Sequence, residues 1–223
     1  MASLSDLPGA GRRQHARLLT LTTPAGPDVL LVESARIDES LGPVAGHAGF
    51  RIQLTALAAD VASSLAELLG QPARLDLRTA TACSVPRPFH GHITQITRLG
   101  ANGGFARYRL IIEPWLAFLG HNRDSSLFQD KTVVEIVDAV FAAWRDRGRL
   151  APVWRWDLAD PARYRRRGMC VQYGESDLAF VSRLLEEDGI FWFFTHKEGK
   201  HTLVLNREAG STFFLGEIYV DMA

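Results

Sequence analysis

The stretch GMCVQYGESDLAFVSRLLEEDGIFWFFTH, residues 168–196, contains three consecutive structural signals with almost no linker between them. The apolar run at 169–173 predicts a strand, and the amphipathic run at 177–188 predicts a helix. Residues 190–195 are dense in aromatic and β-branched side chains and predict a second strand. We interpret the stretch as one strand–helix–strand unit.

The predicted helix carries signals for both of its ends. Ser176 is a suitable N-cap residue, and Asp177 in the first turn complements the positive end of the helix dipole. Gly189 is expected to end the helix. The buried stripe of the helix is predicted to consist of Leu178, Val181, Leu184 and Leu185.

Two acidic residues near the C-terminal end of this helix call for a basic partner. Glu186 and Glu187 are unfavourable to the helix dipole at that position. The loop PARYRRRG at 161–168 supplies candidates, either within the chain or across a subunit interface. These candidates are Arg163, Arg165, Arg166 and Arg167. Since neither an aromatic platform nor an overall positive charge accompanies this run, nucleic acid is not an expected partner.

The aromatic run IFWFF at 190–194 places large side chains on both faces of its strand. A strand with one solvated face would bury only alternate residues, so this strand is predicted to be covered on both sides. The second cover can be another part of the same domain, another domain or another subunit, since aromatic residues are also typical of interface cores.

The chain before this stretch predicts a sheet. The runs at 16–23, 28–40, 50–58 and 73–78 favour strands, and 41–49 is a Gly/Pro-rich loop. Residues 61–69 favour a short helical turn. The clearest hairpin is HGHITQITRLGANGGFARYRLIIEPW at 90–115, whose predicted turn GANGG spans 100–104.

A second helix and a final strand complete the pattern. Thr132 and Glu135 have the spacing of a capping box, and Gly148 suits the C′ position. The helix stripe between them is predicted as Val133, Ile136, Val137, Val140, Phe141 and Trp144. After a turn at 197–200, residues 201–206 favour a strand. The fold class is therefore predicted as α+β, mostly β.

The composition excludes several classes of protein. The chain has 223 residues, with 25 Lys and Arg against 25 Asp and Glu, so no net field attracts nucleic acid or anionic membrane. The two cysteines, Cys83 and Cys170, are too few for a disulfide scaffold and are expected to be buried in a reducing compartment. No apolar run approaches the ~18 residues of a membrane span. Because the N-terminus has no apolar signal-peptide core, we expect a protein made and folded in the cytoplasm that, if exported, uses a route without a signal peptide.

Candidate catalytic and metal-binding residues are few, and the common motifs of nucleotide, zinc and hydrolase sites are absent. His90 and His92 lie two residues apart on a predicted strand and face the same side, which can begin a metal site, but a third ligand is not evident. Cys170 and His196 would form a nucleophile–base pair only if the fold joined them, and burial of Cys170 in an apolar strand would make it inert.

The acidic residues of the opening stretch can also be read as a carboxylate pair for glycoside hydrolysis. These residues are Glu175, Asp177, Glu186, Glu187 and Asp188. Capping and a solvated helix face explain them without catalysis, so no catalytic, cofactor-binding or metal-binding residue is assigned. A cell-wall glycan hydrolase using Glu175 and Glu186 is kept as an alternative.

Four segments resemble one known family. The segment CVQYGESDLAFVSRLLEEDGIFWFF at 170–194 resembles the signature of VgrG proteins, the trimeric spike of bacterial type VI secretion. The segments at 50–77, 87–119 and 126–141 resemble the family in the same order, and the resemblance covers roughly 17–206. It implies a baseplate-hub-like fold of β-barrel-like tube domains with helical insertions.

The resemblance also implies partners and a mode of action. The implied partners are two further copies in a homotrimer, the stacked Hcp tube, other baseplate proteins and effectors. The implied role is that of a structural protein without catalytic residues or cofactors. Such a protein assembles in the bacterial cytoplasm and is then exported by the secretion machine. A baseplate hub of a phage or phage-derived contractile tail is the alternative context. Family members continue into more of the hub and a needle, so the chain is expected to be a fragment, a truncated product or a shortened relative.

The predicted division of the chain follows from these segments. Residues 1–16 are a flexible leader, 17–115 a first β tube domain, and 116–168 a helix-containing insertion. Residues 169–223 are the strand–helix–strand unit and lead into a second, incomplete hub portion.

Overall fold

The computed structural model describes residues 17–42, 48–59, 65–78, 86–102, 104–145, 147, 150–197, 199–207 and 217–221. The predicted leader, the centre of the Gly/Pro loop, Cys83 and Gly148 lie outside these residues. The strands are β1 Leu19–Thr22, β2 Leu30–Glu39, β3 Phe50–Ala58, β4 Pro72–Leu77, β5 Arg87–Asn102, β6 Phe105–Glu113, β7 Arg123–Lys131, β8 Trp154–Asp157, β9 Arg167–Ser176, β10 Phe191–Lys197, β11 Lys200–Asn206 and β12 Glu217–Asp221. The helices are α1 Val133–Ala142 and α2 Asp177–Glu187.

Seven strands form an antiparallel sheet in the order β1-β4-β5-β6-β3-β2-β12. The first six of these strands curl into a nearly closed barrel. At the seam, the Arg17 guanidinium donates a hydrogen bond of 3.0 Å to the carbonyl oxygen of Val32 on β2. The strand β12 pairs with β2, so residues 217–221 return to the barrel from the end of the chain.

Alternation along the strands fills the barrel interior. On β3, Phe50, Ile52 and Leu54 are buried while Arg51 and Gln53 are exposed, which confirms the predicted sheet with one solvated face. The hairpin of β5 and β6 is also confirmed, but β5 runs to 102 and its turn is shorter than predicted. Gly100 is paired with Arg107 within the strand, and a register shift between Arg98 and Gly100 leaves Leu99 as the extra residue.

A second core is formed by residues between 115 and 205 together with Ala48, and it contains both helices. The strands β10, β11 and β8 form a three-stranded sheet, in which β11 and β8 are parallel. The strands β7 and β9 form a separate two-stranded ribbon. Neither β7 nor β8 was predicted, because β7 alternates polar and charged residues without a clear apolar face and β8 is only four residues long.

Both predicted helices are present, with two corrections. The capping box of Thr132 and Glu135 is confirmed, but α1 ends at Ala142 and the buried Trp144 lies in the turn that follows. The stripe of α2 includes Phe180 and leaves Leu178 only half-buried. The reason is that Asp177 itself faces inward, which shifts the buried face to positions 177, 180, 181, 184 and 185.

The ends of α2 agree with the sequence. The Ser176 hydroxyl accepts a hydrogen bond from the backbone N–H of Ala179, as an N-cap does. Gly189 has a φ of +67°, and its N–H donates to the carbonyl oxygen of Glu186. Because few other residues adopt this backbone conformation readily, Gly189 ends the helix and turns the chain into β10. In the described part of the chain, no helix is long and apolar enough to cross a membrane.

Candidate functional site

Four histidines meet where the barrel contacts the second core. His90 and His92 point from the same face of β5, as predicted, and His196 and His201 are directly opposite each other on β10 and β11. The ring centroids of His90 and His201 are 5.2 Å apart, and those of His92 and His201 are 5.6 Å apart. We call these four residues the histidine junction.

Hydrogen bonds through the junction join the barrel to the three-stranded sheet. The backbone N–H of His90 donates to Nδ1 of His196 at 3.1 Å. The backbone N–H of Trp115 donates to Nε2 of His201 at 3.0 Å. The Nδ1 atoms of His90 and His201 lie 2.9 Å apart. The strands β10 and β11 are thus tied to β5 and to the chain just after β6.

These bonds determine the proton on each ring. Because Nε2 of His201 accepts, its ring proton lies on Nδ1 and is donated to Nδ1 of His90. The proton of His90 then lies on Nε2. His196 accepts at Nδ1, so its own proton lies on Nε2, 4.0 Å from Oε1 of Glu39 on β2. All three rings make these contacts in their neutral form.

The surroundings favour the neutral form. Burial lowers the pKa of His196 to about 4, and repulsion by the positive charge of Arg87, and by His90 whenever that ring is protonated, adds to the effect. Burial likewise lowers the pKa of His201 well below its ordinary value. Burial also lowers the pKa of His90, with a further contribution from the Arg74 guanidinium. Desolvation disfavours the charged imidazolium in each case.

The junction is not arranged as a metal centre. Among the described residues, no group of three or more His, Cys, Asp and Glu side chains is placed to hold a metal ion. Sequence reasoning found His90 and His92 but missed His196 and His201 as their neighbours, since these lie more than 100 residues further along the chain. The signal available was the alternation of β10 and β11, which puts both histidines on the face of the predicted aromatic strand that carries Trp192.

The aromatic strand packs against the barrel on one face only. Trp192 is fully buried, and Phe194 contacts Phe50 edge-on with ring centroids 5.2 Å apart. On the opposite face, Phe191 and Phe193 are half-buried. The second face is therefore covered only in part, because a two-sided aromatic pattern does not reveal how far the neighbouring elements extend.

A glycine from the Gly/Pro loop closes over this strand. Gly42 and Trp192 exchange two backbone hydrogen bonds, of 3.0 and 3.2 Å, outside the regular sheets. A Cβ atom at Gly42 would overlap the Trp192 indole ring. Only glycine allows so close an approach of the backbone, so this residue connects β10 to the loop after β2 through its backbone hydrogen bonds.

Asp177 is a buried connecting residue of the second core. Its carboxylate accepts hydrogen bonds from Nδ2 of Asn122 at 2.8 Å, Nε1 of Trp144 at 2.9 Å and Nε2 of Gln172 at 2.8 Å. Its exposed fraction is 6%. A cavity of about 110 Å³ lies beside it. The sequence predicted a role in helix capping, and the structure adds that Asp177 joins α2 to β9 and to the turns before β7 and after α1.

Three acids at the ends of α2, namely Glu175, Glu187 and Asp188, form ion pairs within the chain. Arg167 contacts Glu187 and Asp188, each at 2.6 Å, which confirms an intrachain basic partner for the end of α2. Arg183 holds Glu175 at 2.7 Å and also contacts Glu187. A hydrogen bond from Arg167 is the main cause that lowers the pKa of Glu187.

The proposed nucleophile–base pair is not assembled. Cys170 is buried in the second core on β9. Among the described residues, His196 contacts Phe50, Phe89 and the junction histidines rather than Cys170.

An exposed apolar strip covers the outer face of the two-stranded ribbon. Its exposed fractions are 85% for Tyr173, 67% for Met169, 56% for Leu127 and 45% for Val171. Leu127 and Val171 are directly opposite in the β7–β9 register, and Tyr173 and Met169 lie two residues to either side of Val171. Most of the large apolar side chains that the described surface exposes lie in this strip, and such clustering indicates an interaction surface.

Comparison with known proteins identifies related chains. Residues 47–213 match the family described as phage tail baseplate hub (GPD). The type VI secretion system spike protein VgrG1c of Pseudomonas aeruginosa is 34% identical over 198 residues, covering 89% of this chain and 25% of that protein. VgrG1a of the same organism is 33% identical over the same length, which is 29% of that protein. The chain thus spans about a quarter of the length of these relatives.

Solved structures show the same fold. The E. coli c3393 protein is described as a component of the type VI secretion system with structural similarity to T4 bacteriophage tail proteins gp27 and gp5. It superposes with a TM-score of 0.70 at 27% identity, over 85% of this chain and 49% of that one. A chain of the Francisella PdpA–VgrG complex has a TM-score of 0.59 at 14% identity, covering 81% of this chain and 28% of that one, and shares the fold alone.

Proposed function

Because the chain belongs to the phage tail baseplate hub family, we propose that it forms part of the hub of a type VI secretion spike and acts by assembly rather than catalysis. The observation that carries the proposal is the similarity to the E. coli c3393 protein, which extends over the barrel and the second core together. The division into a tube portion at 17–115, an insertion at 116–168 and a unit at 169–223 is part of the proposal.

The residues support a structural role. Glu175, which a glycan hydrolase would need free, is held by Arg183. The histidine junction and Asp177 are engaged in contacts between elements, and neither presents a reactive group to a substrate. Of the arginines in the basic loop, Arg166 and Arg167 are paired with carboxylates, which leaves little charge for nucleic acid.

The exposed strip on β7 and β9 is the surface we assign to assembly, with a second copy of this chain as its occupant. A standard interface buries ~800 Å² on each partner. The four side chains of the strip expose less area than this, so the strip would be one part of a larger contact between subunits. An apolar centre of this kind is expected where subunits form a closed ring. In this proposal the ring is a trimer that docks on the Hcp tube, carries spike or effector proteins, and is exported without a signal peptide.

Measurement of molar mass by light scattering, with and without an Hcp-type tube protein, tests the assembly role. We expect a trimer or a complex with tube rings. A monomer at high concentration that also fails to bind the tube protein would contradict the role for this chain.

The strip is tested separately with the double variant Leu127→Ser/Tyr173→Ser. We expect loss of self-association with an unchanged melting temperature, since both side chains are exposed. Leu99→Ser is the matched control, because Leu99 is also exposed but lies on β5, at the register shift of the β5–β6 hairpin. Equal self-association of the double variant and the control would exclude the strip.

A further inference from the structure

We propose that the histidine junction is an acid-sensitive joint, at which protonation breaks the hydrogen bonds that hold β10 and β11 on the barrel. The three-stranded sheet then separates from the barrel while the barrel itself stays folded. This inference concerns a change within one chain, and it does not depend on the proposed assembly.

Each bond at the joint requires a neutral ring. A second proton on His201 would occupy Nε2, which accepts from the N–H of Trp115. A second proton on His196 would occupy Nδ1, which accepts from the N–H of His90. A proton on Nδ1 of His90 would face the proton that His201 donates. In all three cases a donor then points at a donor, and the bond across the junction is lost.

The neighbouring charges do not provide an effective partner for an imidazolium. On β2, Oε1 of Glu39 lies 4.0 Å from Nε2 of His196, beyond hydrogen-bond distance, and the charge of this carboxylate is offset by Arg87, which donates to Oε2 at 2.7 Å. On β4, Arg74 repels a charge on His90, although Asp76 partly offsets it at 2.8 Å from the Arg74 guanidinium. A further acid lies on β6.

That acid is Glu113, which is opposite His92 in the β5–β6 register. Its Oε2 accepts a hydrogen bond of 2.5 Å from the hydroxyl of Thr94. The apolar neighbours of the junction, among them Phe50 and Phe118, exclude water rather than solvate charge. Since His90, His92, His196 and His201 lie within one cluster, a charge on one ring also repels a charge on the next.

The direction of the pH dependence follows from these contacts. The closed joint holds fewer protons than the open joint, because the pKa of His196 is about 4 when closed and 6.5 when exposed to water. The joint is therefore most stable above pH 6.5 and weakens as the pH falls towards 4. Each unit of pKa difference contributes tenfold, so protonation of His196 alone raises the opening constant by roughly 80-fold between pH 6.5 and pH 4 and approaches a limit of roughly 300-fold at lower pH.

Amide hydrogen exchange of the whole chain, followed by mass spectrometry between pH 7 and pH 4.5 and corrected for intrinsic rates, measures the opening. We expect peptides from β10, β11 and the region around Trp115 to lose protection by tenfold or more per pH unit below 6.5. Peptides from β3 and β6 should keep their protection. A pH-independent opening constant, or an equal loss throughout the barrel, would overturn the proposal.

The double variant His196→Asn/His201→Gln separates titration from packing. Asn offers an acceptor near the position of Nδ1, and Gln offers one near Nε2, but neither side chain takes up a proton in this range. We expect its opening constant to be nearly independent of pH. His121→Gln alters an exposed histidine and serves as the control. The opening constant of this variant should change with pH as steeply as that of the wild type.

The single variant His196→Asn provides a second readout if the double variant does not fold. The logarithm of its opening constant should change less steeply with pH than that of the wild type, because one proton fewer is taken up on opening. An unchanged slope in this variant or in the double variant would show that the junction is not the titrating element.

Discussion

Substitution of Asp177 by Ala should be among the most damaging single changes to this protein outside its apolar cores. The side chain is 6% exposed and accepts three hydrogen bonds, from Asn122, Trp144 and Gln172. Alanine leaves all three donors without this acceptor. A buried donor left unpaired costs about 1–3 kcal/mol, and bonds to a charged acceptor lie at the upper end of that range.

The adjacent cavity limits the loss. It has a volume of about 110 Å³, and polar side chains such as Asn122 and Gln172 form part of its lining, so water can enter and replace part of the lost bonding. We therefore expect the free energy of unfolding to fall by about 3 kcal/mol, a large fraction of the ~5–15 kcal/mol of a typical domain. For a chain of this size, such a loss lowers the melting temperature by ~6–12 °C.

Urea unfolding followed by tryptophan fluorescence measures this loss, because Trp144 is one of the donors. Ser176→Ala is the matched control: it removes the neighbouring N-cap but leaves the buried contacts, and should cost only ~1 kcal/mol. The loss of stability in Asp177→Asn should lie between those of Asp177→Ala and Ser176→Ala, since the asparagine amide N–H₂ would face one of the three donors and could not accept its hydrogen bond. If Asp177→Ala cost no more than Ser176→Ala, the assignment of Asp177 as a connecting residue would be wrong.

Three further substitutions test other parts of the fold. Gly42→Ala should destabilise the protein by ~1–3 kcal/mol or more, since the new methyl group overlaps Trp192. A shifted tryptophan emission spectrum would report the displaced ring. An unchanged spectrum and an unchanged stability would contradict the close contact between Gly42 and Trp192. Leu185→Asp should prevent folding, because it places an unpaired charge at a fully buried position of α2, and a cooperative melting transition near that of the wild type would refute the assigned stripe. Arg167→Ala should cost less than ~1 kcal/mol in urea unfolding, as expected for a partly exposed ion pair, and a much larger loss would mean that Arg167 is a packing residue as well.

Local chemistry made much of the fold predictable. The capping box at Thr132, the N-cap Ser176 and the end of α2 at Gly189 depend on residues within a few positions of each other, and all three are present. The strand β3 has the predicted bounds because its alternation is strict. Where alternation is weak, as in β7, the strand was missed, since its conformation depends on pairing with β9.

The burial of the Asp177 side chain shows what the pattern of neighbouring residues cannot predict. An aspartate at the first helical position satisfies the helix dipole whether it faces solvent or the core. Three donors brought by Asn122, Trp144 and Gln172 make burial favourable, and two of them come from segments more than 30 residues away. Contacts of that separation leave no signal in the pattern of α2 alone.

The amino-acid sequence by itself determined both helices, most of the barrel strands, the fold class and the resemblance to the hub family, because periodicity, caps and turn residues act over short distances. The three-dimensional structure alone decided what the aromatic strand packs against and that four histidines separated by up to 111 residues share one buried junction. The physical reason is that burial and hydrogen bonding depend on which surfaces the folded chain brings together, and these set the charge state of a ring far more than its neighbours in sequence do.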